Sequence, residues 1–129
     1  MRMASKHGYS CDVELKEERL FQLTRVAQAN PRTIFILAIS QPMRRNVDLK
    51  ELALLENVVI KIITETVSYE KLKGTALDLI DLFLTERVMF GSFSAKRCNE
   101  LAKMVEDFSE KEKENLFYMS ARKWYNLIS

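Results

Sequence analysis

Three glycines and two prolines in 129 residues leave this chain few places to turn sharply. Tight turns draw on Gly and Pro for backbone conformations that other residues adopt only at a cost. The scarcity argues against an all-β fold with many hairpins, and against linker-like or collagen-like character. Apolar residues at 47% suffice for a core, and charged residues at 29% for a solvated surface. The length is close to the mode for one domain and hardly accommodates two. The expectation is an all-α fold: a compact bundle or short right-handed superhelix of about six helices in helical hairpins. It occupies residues 12–129 as a single interaction domain, behind a flexible tail at 1–11.

Periodicity supplies the elements. Asp12 can cap a first helix through about residue 29, where Leu20, Leu23 and Ala27 return at helical spacing. Asn30-Pro31 ends it, with Pro31 suited to the first turn of a new helix. Ile34 to Ile39 is the longest purely apolar run and is ambiguous. A strand here would need a hydrogen-bonding partner, and none is evident nearby, so a short helix buried nearly all round is preferred. Asp48-Leu-Lys-Glu51 reads as a capping box before a helix ending near Thr66, with Leu52, Leu55, Val59, Ile62 and Ile63 on its apolar face. Ser68 can cap the next helix, through Leu72, Ala76, Leu79, Ile80, Phe83 and Leu84. Phe90-Gly91-Ser92-Phe93 marks a turn. Ser94 can cap a helix bearing Cys98, Leu101, Ala102 and Val105. Ser109-Glu-Lys-Glu112 is a second capping box, before a last helix stepping through Phe117, Ala121, Trp124 and Ile128.

The charges are nearly balanced. Residues 1–50 hold 9 basic and 5 acidic groups, and residues 51–129 hold 11 and 13, for a total of +2. Dense phosphate binding usually needs a stronger basic stripe. Cys11 and Cys98 form no CxxC pair and read as two lone thiols, with a disulfide as the alternative. No apolar segment is long enough to span a membrane. The glycine motifs of phosphate loops are missing, no cluster resembles a zinc site, and the one histidine, His7, lies in the tail. The carboxylate pairs, such as Asp78 with Asp81, sit in polar runs and read as solvated helix faces. The expectation is a protein that is not an enzyme, with no cofactor and no metal. What remains concerns recognition. Aromatic residues near the C-terminus can anchor a peptide, and basic residues can ring the groove. The candidate peptide-binding set is Phe90, Phe93, Lys96, Arg97, Tyr118, Arg122 and Tyr125.

Two short pieces resemble a known family. Leu54-Leu55-Glu56-Asn57-Val58 and the segment Glu110 to Ile128 look like the conserved core of the Spn/Iws-type transcription elongation factor, related to the TFIIS N-terminal domain. In the second piece Glu112, Glu114 and Asn115 match a charged link, and Leu116, Trp124 and Ile128 match the leucine, tryptophan and closing aliphatic of the last helix. Lys61 stands about where that family carries a tryptophan. The resemblance implies a nuclear protein that docks a short segment of the histone chaperone known as suppressor of Ty six. It would travel indirectly with the RNA polymerase II elongation complex. The alternatives are a helical DNA-binding protein using Arg44, Arg45, Lys96 and Arg97, or a small adaptor unconnected with transcription.

Overall fold

The computed structural model describes residues 9–40, 49–63, 68–91 and 95–119, and it is a mixed α/β fold. The chain runs β1 (Tyr9–Glu14), α1 (Leu20–Ala29), β2 (Thr33–Ile39), α2 (Lys50–Ala53), β3 (Val58–Ile62), α3 (Tyr69–Phe83), β4 (Val88–Phe90), α4 (Ala95–Met104) and α5 (Glu110–Glu114). The strands form one parallel sheet in the order β1-β2-β3-β4. The expected all-α bundle is therefore wrong, and the reason lies in where the strands' hydrogen bonds go. The partner of Ile34–Ile39 is not local. It is the apolar run Val58–Ile62 on one side and the segment Tyr9–Glu14 on the other.

The sequence around each strand explains the error. Val59 and Ile62 follow Leu52 and Leu55 at spacings a helix would also use, yet α2 stops at Ala53 and the chain extends from Val58. The β-branched run Val58-Val59-Ile60 favours the pleated conformation. Phe90, read as part of a turn, is the last residue of β4. β1 takes in Tyr9, Ser10, Cys11 and Asp12, where a tail and a helix cap were expected. The helices after Ser68 and before Met104 do form, and the Ser109 capping box is present: Glu112 N donates to Ser109 Oγ at 3.1 Å and Ser109 N to Glu112 Oε1 at 2.9 Å. The expected continuation through Trp124 and Ile128, and the break at Arg44-Arg45, lie outside the described residues.

Strands laid down in sequential order with right-handed crossovers place their connecting helices on one face of the sheet. Alternate strand residues obey this. Leu15, Phe35, Leu37, Ile39, Val58, Ile60, Ile62, Val88 and Phe90 pack in one buried cluster with Ala27, Leu52, Ala76, Leu79, Phe83, Leu101 and Leu116. The residues between them, Ile34, Ile36, Val59 and Met89, belong to the opposite face and are also buried. Burial on both faces removes the polar-apolar alternation of a half-exposed strand and leaves a continuous apolar run. Only the edge strand β1 keeps that alternation, with Ser10, Asp12 and Glu14 exposed and Cys11, Val13 and Leu15 turned to the helices.

Two polar side chains replace glycine in holding the turns at the amino ends of the strands. Asn57, just before β3, donates from Nδ2 to the carbonyls of Ala27, Asn30 and Thr33 at 3.2, 3.1 and 2.9 Å. Arg87, just before β4, donates to the carbonyls of Leu55 and Val58 at 2.7 and 3.1 Å and to that of Ala53. Each side chain ties down the helix-to-strand turn of the preceding unit, where helix C-termini leave carbonyls without partners. Burial lowers the Arg87 guanidinium from its ordinary value, an effect partly offset by Glu56.

Candidate functional site

In parallel α/β folds the loops and strand ends at the carboxyl edge of the sheet carry the chemistry, and the amino edge carries stability. The tethers of Asn57 and Arg87 mark the amino edge here. At the other end, strand register brings distant residues into rows. Glu14, Ala38, Lys61 and Met89 form one row across the face opposite the helices, and Asp12, Ile36 and Val59 form the row beneath it. Glu14 and Lys61 sit two strands apart, about 10 Å between backbones. Ala38 lies between them, and its single methyl leaves a gap that a larger side chain would fill. Asp12, Val13, Glu14, Ile36, Ala38 and Lys61 line the resulting concavity, of about 260 Å³.

The polar groups around this gap are oriented. Ser40, one residue beyond β2, donates from Oγ to Glu14 Oε2 at 2.8 Å. Asp12 and Glu14 share a face because strand side chains alternate with a period of two. Gly91 bounds the site on the β4 side. A Cβ there would stand 3.1 Å from Ile63 Cδ1, 3.2 Å from the Ile62 carbonyl and 3.5 Å from Lys61 Cε. The missing side chain lets the chain after β4 lie close to Ile63 and the Ile62 carbonyl, while the Lys61 stem would only be brushed. The site thus offers two carboxylates, a hydroxyl and an ammonium on a floor of Ile36 and Ala38. A negative group could be received at Lys61 while a water or hydroxyl is polarised by Glu14.

A larger cleft, of about 450 Å³, lies between α3, the Thr85–Arg87 turn and α5, with Leu77, Ile80, Leu84, Phe108 and Asn115 among its lining. Size alone would favour it. Its charged residues, Asp81, Glu86, Lys111 and Glu112, are all exposed, and Glu112 is committed to the helix cap. The smaller concavity sits where the strand ends converge, and it is the better candidate.

The peptide groove expected from sequence is not assembled. Phe90 is buried on the helix face of β4 and meets Phe117 edge to face, with ring centroids 5.1 Å apart. It is core rather than groove wall, because β4 lies inside the structure and not in a surface turn. Lys96 is exposed on α4, and Arg97 on the same helix pairs with Glu100 at 3.4 Å. Tyr118 belongs to the single π-turn Asn115–Met119 that continues α5. Phe93, Arg122 and Tyr125 lie outside the described residues. Cys11 and Cys98 are free thiols, each half-buried. Among the described residues no group of three metal-ligating side chains converges. Asp12, Glu14, Ser40 and Lys61 were missed as a set. The signal that could have found the first two is the alternation Ser10-Cys11-Asp12-Val13-Glu14-Leu15, which is the pattern of a half-buried strand.

A sequentially ordered parallel sheet with its helices on one face is the arrangement of consecutive βα units in the wall of a (β/α) barrel. No family model matches this chain, and no curated protein matches it by sequence. Among solved structures it is similar to a Pseudomonas putida protein that carries the provisional name 2-pyrone-4,6-dicarboxylic acid hydrolase, with a TM-score of 0.61 and 14% identity. The match covers 93% of this chain and 52% of that one, so this chain spans about half the length of the structure it resembles. At this identity the likeness is one of fold.

That fold overturns the reading as a helical transcription-elongation core, together with the resemblance that supplied it. The two matching pieces divide differently in space: Leu54–Val58 is the turn into β3, and Glu110–Met119 is a short helix and π-turn against β4. The expectation of a non-enzyme falls with it. It rested on the absence of compact motifs, whereas this fold is shared with a structure bearing a hydrolase name. In such folds catalytic groups come from the ends of separate strands and leave no local motif.

Proposed function

We propose that this chain is a hydrolytic module for a small, carboxylate-bearing substrate, acting at the carboxyl edge of its sheet. The observation that carries the reading is the meeting of Glu14 from β1 and Lys61 from β3 around one concavity, with Ser40 just beyond β2 holding Glu14. In this reading the Lys61 ammonium receives a substrate carboxylate. Glu14, held by the Ser40 hydroxyl, takes a proton from the attacking water. Ile36 and Ala38 provide the apolar floor for a flat or small organic body. The Pseudomonas putida structure supports the class of chemistry through its name, since a pyrone dicarboxylate is a small cyclic dianion.

The test begins with 2-pyrone-4,6-dicarboxylate as probe. Its binding is followed by calorimetry, and loss of the ring by ultraviolet absorbance. Wild-type protein should bind it and open the ring. Lys61→Ala should weaken binding by about tenfold or more, the value of one charge-assisted contact, and Lys61→Arg should recover part of it. Glu14→Gln should slow turnover while sparing binding. Absence of binding by the wild type to this probe and to simple mono- and dicarboxylates, at millimolar concentration, would remove the reading.

A further inference from the structure

We infer that Ala38 is the specificity-determining residue of this site, reserving it for a flat ring acid that reaches from Lys61 to Glu14 across the alanine methyl. The inference rests on the hydrolytic reading for the chemistry and on the sheet for the geometry.

The first observation is that the strand pattern breaks at Ala38. β2 pairs on both sides and is buried from Ile34 to Leu37 and again at Ile39. Strands of this kind favour β-branched residues, and alanine is depleted in them. Ile34 and Ile36 precede Ala38 on the same face and are 0% and 1% exposed, so an isoleucine at 38 would continue the series. The chain carries its smallest apolar side chain there instead, and that residue is only half-buried. Local preference yields in this way at positions where a site needs the space.

The second observation is that the neighbours do not take up the room. Protein interiors are close-packed, and a small residue in a strand is normally matched by a larger one beside it. Here the flanking residues in the row are Glu14 and Lys61, and the space above Ala38 is a concavity of about 260 Å³. Clefts that take drug-sized ligands start at roughly 300 Å³. The volume suits one ring with its substituents and is too small for two.

The third observation is spacing. Glu14 pairs with Ala38, and Ala38 with Lys61, so the two polar residues stand to either side of it by about 5 Å between backbones. A rigid ring resting on the methyl at the usual carbon contact of about 3.5–4.0 Å can hold a carboxylate towards Lys61 and its hydrolysable carbonyl towards Glu14 at once. Each carbon added at position 38 lifts that ring. A flat body cannot bend to follow, so it loses both ends together. A short flexible diacid such as malonate needs only the Lys61 end and is indifferent to the floor. Ala38 therefore selects by contact and takes no part in proton transfer.

The test titrates wild type, Ala38→Val and Ala38→Leu with 2-pyrone-4,6-dicarboxylate and with malonate, following binding by calorimetry. Valine suits a strand, so Ala38→Val should keep native circular dichroism. It should weaken the ring acid by about tenfold or more, the usual effect of one or two carbons in a fitted pocket, and Ala38→Leu should weaken it further. Malonate affinity should change by less than about twofold, since its contact with Lys61 is untouched. A folded Ala38→Val that binds the ring acid as the wild type does, or that loses both ligands equally, overturns the inference and leaves the hydrolytic reading standing. A wild type that binds malonate and not the ring acid does the same. A wild type that binds neither removes the reading and the inference with it. The wild type alone supplies a further check if the variants fail to fold. A naphthalene dicarboxylate, with two fused rings, should bind about tenfold or more weaker than the one-ring acid, and equal binding overturns the inference.

Discussion

Replacing Asn57 by alanine should cost about 2–3 kcal/mol of stability, and the figure can be built from its contacts. The side chain is buried, 5% exposed, and its Nδ2 has three carbonyl acceptors within 2.9–3.2 Å. An amide carries two hydrogens, so three acceptors share two full hydrogen bonds. At about 0.5–1.5 kcal/mol net for each bond, the direct loss is about 2 kcal/mol. Some of the abandoned carbonyls keep a second partner, since the Ala27 carbonyl also accepts from Asn30 N and the Asn30 carbonyl from Thr33 N. That limits the further penalty for orphaned acceptors to about 1 kcal/mol. For a chain of this length the midpoint of thermal unfolding should fall by about 10 °C. Urea denaturation should show a lower midpoint with an unchanged slope. Asn57→Asp is the sharper variant. It keeps the shape but turns a donor into an anion facing three carbonyls, and so should cost more than alanine at neutral pH. Those carbonyls and the burial raise the introduced carboxyl above its unfolded value, so the extra loss should fade as pH falls and the group protonates. An alanine variant that loses less than about 1 kcal/mol, or an aspartate no worse than alanine at neutral pH, would refute the reasoning.

Other perturbations have expected signs. Arg87→Lys keeps the charge but cannot reach three carbonyls from one planar fork, and should lose about 1–3 kcal/mol by chemical denaturation. Gly91→Ala places a methyl 3.1 Å from Ile63 Cδ1 and 3.2 Å from the Ile62 carbonyl, a backbone atom that cannot yield easily, and should destabilise by about 1–3 kcal/mol. Urea denaturation of the variant beside the wild type checks the loss. Leu84 has φ 65° and ψ 162°, a region suited to glycine, and its side chain is 64% exposed. Leu84→Gly should therefore raise stability, by about 1 kcal/mol, since the strain removed exceeds the entropy added to the unfolded chain.

What could be read in the sequence was local. The helix from Ser68 to Phe83 carries a 3.6-residue pattern with one buried face, and Ser109 with Glu112 forms a cap within four residues. The strands depend on partners 23 to 28 residues away, and periodicity within a window has no access to those. Ile34–Ile39 reads as a helix for want of a neighbouring strand, although Val58–Ile60 and Val88–Phe90 are apolar runs of similar kind at similar intervals. Burial on both faces then erased the alternation that would have set them apart from helix. Scarce glycine was a true observation with a different cause. The turns at the amino ends are held by side-chain donors from Asn57 and Arg87, so few positions need glycine's freedom. The candidate site was less legible still. Glu14 of β1, Ser40 just beyond β2 and Lys61 of β3 share no motif, and the aromatic candidates include Phe90, which is core.

The two tethers have a bearing on how the chain can be divided. Asn57 reaches back from the entry of β3 to the turn before β2, and Arg87 from the entry of β4 to the turn before β3. Each unit is thus finished by a residue that its successor contributes. Nearest-neighbour coupling of this kind makes the stability of the array sequential. A cut after β2 would take the Asn57 donor from the Thr33 carbonyl and leave the Ala27 carbonyl with Asn30 N alone, whereas an added unit at the β4 edge could supply the next tether. Such a wall is easier to lengthen than to shorten, and truncations from the C-terminal side should lose stability one unit earlier than the missing residues alone would suggest.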